Sequence, residues 1–265
     1  MHRLHRSDLN PALRPIATAP ERAAVIVDFD GSLAPIVDDP AAAVALPAAR
    51  DALAALVDRV ALVAVVSGRP VDFLATELAI DGLELVGQYG LERMLEGRSI
   101  PDARVEPYLD AVTAAADEAE RLLPGLLVER KGAIAVTVHW RAQPERDAEG
   151  TLAVEELARR HGLETYPTRM ARELRPPVAV DKGTAVEALL DPGHETACFA
   201  GDDRGDLTAF DALDRATAAG RLRHAVRIGV HSPEAPPELI ERADVTVDGP
   251  AGLAALLREL GAAIG

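Results

Sequence analysis

Aromatic residues make up only 3% of this 265-residue chain, so its core cannot be built from packed rings. With 48% hydrophobic residues, that core must come from Ala, Val and Leu, which suits Ala-rich helices laid on a Val/Ile/Leu sheet. Cysteine occurs once, at Cys198, which excludes an internal disulfide and fits a reducing compartment. Its setting in Thr196-Ala-Cys-Phe-Ala200 marks a packing residue of a buried strand rather than a nucleophile. No apolar run is long enough to span a membrane, and the opening residues Met1 to Asp8 lack the apolar stretch of a secretory signal. A cytoplasmic setting away from membranes is therefore expected, with a monomer as the default. Internal repeats and low-complexity tracts are also missing. Positive charge is scarce, leaving a net charge of −15. So acidic a chain has no basic stripe for nucleic acid, and an anionic ligand needs a local cationic site. Lysine is nearly lacking: of 28 basic residues only Lys131 and Lys182 are not Arg. A Lys retained in so Arg-biased a chain marks either chance survival at the surface or a place for a compact point charge rather than a planar fork.

From Val25 onward, apolar runs alternate with amphipathic segments. A buried strand at 24–28 precedes a helix near 47–59, where Leu53, Leu56, Val57 and Val60 fall at helical spacing. A strand at 61–66, a helix near 71–79 and a short strand at 83–86 follow. This β-α-β-α-β order predicts a parallel sheet covered by helices. The rhythm then changes to a helix near 104–123, two strands at 126–130 and 133–140, a helix near 145–161, and strands near 163–167 and 171–175. In the second of those strands Ile134, Val136, Val138 and Trp140 alternate, as in an antiparallel sheet with one apolar face. The first rhythm resumes with a helix at 182–190, a strand at 195–200, a helix at 207–215, strands near 225–230 and 243–247, and a last helix at 250–260. The expected fold class is α/β, a Rossmann-like parallel-sheet core with an inserted α+β cap. The core comprises residues 23–101 and 176–265 and the cap 102–175. Residues 1–22, with Pro11, Pro15 and Pro20, read as a loosely packed, flexible lead-in.

Four strand-to-helix junctions of the core carry chemistry, and strand ends are where open parallel sheets bind ligands. Asp28-Phe-Asp30-Gly31-Ser32-Leu33 sets two carboxylates at a strand end before a glycine turn, and one can attack while the other moves protons. Ser67-Gly68-Arg69 offers a hydroxyl and backbone amides suited to a phosphoryl oxygen. Lys182, at a helix start, supplies a cation able to neutralise a phosphate and an attacking carboxylate. Gly201-Asp202-Asp203 brings further acids that, with Asp28, can hold a hard cation through oxygen ligands. Each junction alone also reads as an ordinary turn or helix cap; their order along one chain is the stronger signal.

Together the four motifs resemble those of the haloacid dehalogenase-like phosphohydrolases. That resemblance implies Mg2+ as cofactor, bound by Asp28, Asp30, Asp202 and Asp203, with Asp28 attacking phosphorus to form an aspartyl-phosphate. It assigns Asp30 the proton transfers and places Ser67 and Lys182 in the catalytic set. Across residues 24–260 the chain is also similar to the trehalose-6-phosphate phosphatases. Asp28-Phe-Asp-Gly-Ser-Leu-Ala-Pro-Ile36 with Pro40, Gly87-Gln-Tyr-Gly-Leu-Glu92, Glu129-Arg-Lys131 with His139-Trp-Arg141, Arg169-Met-Ala-Arg-Glu173-Leu-Arg-Pro176, and Asp181-Lys-Gly183 carry this second resemblance. It implies hydrolysis of trehalose 6-phosphate to trehalose and phosphate. Gly68, Arg69, Glu129, Lys131, Arg141, Arg169 and Glu173 are then expected to bind the phosphorylated disaccharide, and a synthase making that substrate is the expected functional partner.

The fourth motif departs from the family pattern, with Gly205, Leu207 and Thr208 where a Thr and two acids are usual. Two other readings therefore stand beside the first. One is a related sugar-phosphate phosphatase acting on a glucosyl- or mannosyl-glycerate phosphate, sucrose phosphate or a pseudo-disaccharide phosphate. The other is a non-catalytic sugar-phosphate-binding partner of the synthase.

Overall fold

The computed structural model describes residues 9–37, 42–168, 170–233 and 235–264. A short α1 (Arg14–Thr18) leads into β1 (Ala23–Val27), α2 (Pro47–Val57), β2 (Leu62–Val66), α3 (Val71–Leu78), β3 (Glu84–Gly87), β4 (Glu92–Leu95) and β5 (Arg98–Pro101). Next come α4 (Leu109–Leu122), β6 (Leu127–Lys131), β7 (Ala135–His139), α5 (Asp147–His161), β8 (Glu164–Thr168) and β9 (Ala171–Arg175). The chain continues with α6 (Lys182–Leu189), β10 (Thr196–Gly201), α7 (Leu207–Ala218), β11 (His224–His231), α8 (Pro237–Arg242), β12 (Val245–Asp248) and α9 (Gly249–Ile264). It divides into two compact units, Met1–Arg98 with Val180–Gly265, and Ser99–Ala179.

In the first unit every residue of β1 is buried. Its side chains alternate between two cores: Val25 and Val27 in one, Ala24 and Ile26 in the other. Helices therefore cover both faces, the condition under which a parallel strand reads as a continuous apolar run. The sheet order is β12-β11-β10-β1-β2-β3-β4-β5, and the first six of these strands are mutually parallel. From β1 the chain builds outward through β2 and β3, and from β10 it builds the opposite way through β11 and β12. The strand order thus reverses between β1 and β10, and the loops leaving those two strands flank the crevice that such a reversal opens.

Three features differ from the sequence reading. Residues 9–22 are no loose lead-in: Leu9, Leu13, Ile16 and Ala17 are buried in the main core, and α1 packs on α9. Their spacing is helical, and the prolines sit in the first turns of short helices, where the missing N–H is no loss. The sheet also carries two further strands. β4 runs antiparallel to β3 and turns into β5 through Glu96 and Gly97, both at positive φ (50° and 71°), as a two-residue hairpin turn requires. Finally, α8 opens on Pro237 and occupies what read as a plain connection.

The second unit is a four-stranded antiparallel sheet, β6-β7-β9-β8, with α4 and α5 packed on one face. Val112 and Ala115 of α4, Val154 and Leu157 of α5, and Val136, Val138 and Leu174 of the strands form its core. Trp140 fills one end, lying so close to α5 that a Cβ on Gly150 would come within 2.7 Å of the indole. No helix among the described residues is long and apolar enough to cross a membrane.

Because Ile16 is fully buried, Ile16→Ala should lower the unfolding free energy by roughly 2–4 kcal/mol. Glu21→Ala, on the exposed side of the same segment, should change it by less than about 0.5 kcal/mol. Urea unfolding followed by circular dichroism measures both.

Candidate active site

The crevice begins with Asp28. Its backbone N–H donates to the Ala200 carbonyl at 2.8 Å, extending the β1–β10 ladder by one residue and fixing where its buried carboxylate lies. Gly31 then turns the chain at a φ of +75°, and a Cβ there would lie 2.0 Å from an oxygen of Asp202. Only glycine lets the loops after β1 and β10 close on one another.

Lys182 is the first residue of α6, held in place by a reciprocal cap in which the Asp181 carboxylate accepts from Thr184 N–H at 2.7 Å. Its ammonium lies 2.9 Å from Asp28 Oδ1, 2.7 Å from Asp206 Oδ1 and 4.0 Å from Asp203 Oδ1. The other oxygen of Asp206 accepts the backbone N–H groups of Asp202 and Asp203 at 2.9 and 3.0 Å. Asp206 has no solvent exposure and fits only because residue 201 is glycine, where a Cβ would meet its carboxyl carbon at 2.2 Å. The altered residues of this loop have defined places. Thr208 Oγ accepts Gly183 N–H at 3.1 Å and donates to the Gly205 carbonyl at 2.8 Å, while Leu207 joins the core beside Phe210.

One carboxylate oxygen from each of Asp28, Asp202 and Asp206 lies within 4.8 Å of the others. Three buried hard oxygen donors so placed fit a divalent cation such as Mg2+. The side chains of Asp30 and Asp203, the other two expected ligands, make different contacts. Both oxygens of Asp30 accept from Arg69, Nε at 2.8 Å and a terminal nitrogen at 2.7 Å. Asp203 instead caps the turn into α7, its Oδ1 accepting Asp206 N–H at 3.2 Å, and its side chain is 62% exposed. Asp206, a buried acid that in sequence looks like any acidic residue of a first helical turn, joins Asp28 and Asp202 in the buried carboxylate group.

Ser67 is buried at the end of β2, and its hydroxyl accepts Arg69 N–H at 3.2 Å. Gly68 lies against Tyr89, whose ring leaves no room for a Cβ. Glu92 is buried and accepts Val71 N–H at 2.9 Å and the Gln88 amide at 3.2 Å, tying the start of α3 to the turn before β4. In the second unit, Glu129, Thr137, Glu173 and Tyr166 form one row across the four strands. Lys131 binds Glu173 at 2.6 Å, and Glu129 pairs with His139 at 2.8 Å. This row lies on the sheet face opposite the one packed by α4 and α5. Arg141 follows β7 and is half-buried, whereas Arg169 and Pro40 fall outside the described residues.

Burial raises the Asp28 carboxyl well above its usual range, against the pull of Lys182. Burial, reinforced by Asp206 and Asp203, pushes Asp202 up to about 8, and burial lifts Asp206 to about 6. Burial also opposes charge on Lys182, yet Asp206, Asp28 and Asp203 hold it protonated well above the usual lysine value. Asp203 goes the other way: against the desolvation of its place beside the acid cluster, Lys182 and the hydrogen bonds from Asp206 and Gly205 keep this exposed carboxyl low. Without a cation, therefore, the folded protein binds protons at Asp202 and Asp206 that the unfolded chain releases at lower pH. Their contribution to stability is complete in acid and is lost as pH rises through about 6 and then about 8. With a chelator present, the melting temperature should fall between pH 6 and pH 8 and fall less in Asp202→Asn, by a difference of several degrees in thermal melts.

The description "Trehalose-phosphatase" matches residues 26–238 as a family. The chain is 35% identical over 212 residues to a Mycobacterium tuberculosis protein described as an uncharacterized glycosyl hydrolase, covering 75% of this chain and 16% of that protein. It is 32% identical over 240 residues to the trehalose-phosphate phosphatase of Mycobacterium marinum, covering 83% of this chain and 60% of that enzyme. The chain thus spans only part of the length of the curated relatives it matches. Among solved structures, the C-terminal domain of the C. albicans trehalose-6-phosphate phosphatase superposes with a TM-score of 0.74 at 22% identity, covering 97% of each chain. A haloacid dehalogenase-like hydrolase from Bacteroides thetaiotaomicron shares the fold, with a TM-score of 0.63 at 16% identity over 89% of this chain and 98% of that chain. By the extent of the family match and the identity to these relatives, the chain belongs to the trehalose-phosphatase family.

Proposed function

We propose that this protein is a Mg2+-dependent phosphatase that hydrolyses trehalose 6-phosphate to trehalose and phosphate through an aspartyl-phosphate. The observation that carries the reading is the placement of Asp28, a buried carboxylate at the strand-order reversal, 2.9 Å from Lys182 and clustered with Asp202 and Asp206. The names of the curated relatives support the substrate.

On this reading an oxygen of Asp28 bonds to phosphorus while the ester P–O bond breaks, and the departing sugar oxygen takes a proton from Asp30. Asp30 next removes a proton from water, whose oxygen bonds to phosphorus as the bond to Asp28 breaks. Lys182 keeps Asp28 in place and offsets the phosphate charge; Ser67 and the backbone at Gly68 receive a phosphoryl oxygen. Asp28, Asp202 and Asp206 would hold Mg2+, which would supply charge neutralisation for the phosphoryl group. Family resemblance assigns the sugar hydroxyls to Glu129, Lys131, Arg141, Arg169 and Glu173, and the functional partner is the synthase that makes the substrate.

Phosphate release from a panel of sugar phosphates, with and without Mg2+, tests the reading. Trehalose 6-phosphate should be cleaved far faster than glucose 6-phosphate, and Asp28→Asn should lose on the order of 10^3-fold or more in turnover. Comparable rates on the two sugars point to a broader sugar-phosphate phosphatase. Activity that survives in Asp28→Asn removes the mechanism.

A further inference from the structure

Arg69 and Asp30 form a planar two-bond pair, Nε to Oδ2 at 2.8 Å and a terminal nitrogen to Oδ1 at 2.7 Å. The members differ in access: the Arg69 side chain is 12% exposed and that of Asp30 is 39% exposed. The carboxylate is the member open to a ligand, and the guanidinium lies behind it. Arg69 is itself held on several sides. Its N–H donates to Ser67 Oγ at 3.2 Å, and its carbonyl accepts Gln88 N–H at 3.0 Å. Its guanidinium stacks on the Phe73 ring, 4.8 Å from the centroid. Phe73 meets Phe29 edge-on, with centroids 5.6 Å apart, and Phe29 is the fully buried residue between Asp28 and Asp30. The loop after β1 therefore meets the segment around the start of α3 twice, through the Asp30–Arg69 ion pair and through the Phe29–Phe73 ring pair, and Arg69 also stacks on Phe73.

We propose that Arg69 is a positioning residue for Asp30, holding the proton-transferring carboxyl rather than gripping the substrate, as the sequence reading expected. This rests on the reading of Asp30 as proton donor to the departing sugar oxygen. A protonated carboxyl keeps one oxygen as acceptor for Arg69 while the other presents its proton, so a single hydrogen bond still fixes its direction. Proton and electron pair both end on the sugar oxygen as the P–O bond breaks. A planar fork stacked on a ring is a geometry that lysine does not reproduce. Misaligning the acid slows only the step that needs a proton.

The test compares two leaving groups in the first turnover, before hydrolysis of the phospho-enzyme contributes. Trehalose 6-phosphate expels an alkoxide that needs a proton, whereas p-nitrophenyl phosphate expels a stable phenolate that does not. Arg69→Ala should lower the first-turnover rate on the sugar phosphate roughly 10- to 100-fold and that on the aryl phosphate by less than about 3-fold. Arg69→Lys should not restore the former. Phe73→Leu, which keeps the guanidinium but removes its stacking ring, should give a smaller loss with the same selectivity. Asp30→Asn should show the selectivity most strongly, and Arg69→Ala added to it should cost little more. Selectivity in Asp30→Asn without selectivity in Arg69→Ala, or a KM that rises equally for both substrates in Arg69→Ala, overturns the positioning role alone. Equal losses on both substrates in Asp30→Asn overturn the acid–base reading and this proposal with it.

Discussion

Everything in the crevice depends on the contact of one buried ammonium with two buried carboxylates. Lys182 lies between Asp28 and Asp206, and Asp202 is drawn in beside them. A single positive charge cannot neutralise three acids, and uncompensated buried charge is costly. The structure answers with backbone donors. Asp206 collects two amide N–H groups, and Asp28 is held through its own main chain in the sheet. Glycines at 31 and 201 remove the Cβ atoms that would keep the loops apart. The remaining imbalance appears as carboxyls raised above their usual range, Asp202 to about 8 and Asp206 to about 6.

Much of this was legible from residue order. The β1 run predicts a two-faced buried strand because all of its residues are apolar, and Ala24 and Val25 indeed enter different cores. The Asp28 and Asp202 motifs lie at the ends of β1 and β10, and Lys182 at the start of α6, where the fold of the first unit gathers them. What stayed hidden has physical causes. Asp206 resembles a helix-capping acid because its deep burial depends on the missing Cβ of Gly201, which lies against its carboxyl group. The pairing of Arg69 with Asp30 stayed hidden because Ser-Gly-Arg at a strand end suits an anion and the partner acid is 39 positions distant. Residues 9–22 resemble a linker because prolines interrupt them, although Leu9, Leu13, Ile16 and Ala17 keep a helical stripe. The β4–β5 hairpin rests on a Glu-Gly turn, a weaker signal than Asn-Gly.

The unusual fourth motif illustrates how a loop tolerates lost acids. The side chain at 207 points into the core, so leucine adds apolar burial there. At 208 a hydroxyl suffices to join the start of α6 to the loop that holds Asp206. Both substitutions leave the carboxylates around Lys182 as they are, and the register between α6 and the loop after β10 is kept by a neutral bond.

The shortage of lysine has one more consequence. Both side-chain amines are shielded: Lys182 is 4% exposed within its acid cluster, and Lys131 is 13% exposed against Glu173. Lys182 is also held as an ammonium by the acids around it, the form that does not acylate, and Lys131 is paired with Glu173. In the native state, amine-directed reagents therefore meet no freely accessible side-chain target, and acylation at Lys131 or Lys182 becomes a clock for local opening of the respective unit. Because one lysine lies in each compact unit, a single labelling time course read by peptide mass reports the two openings separately.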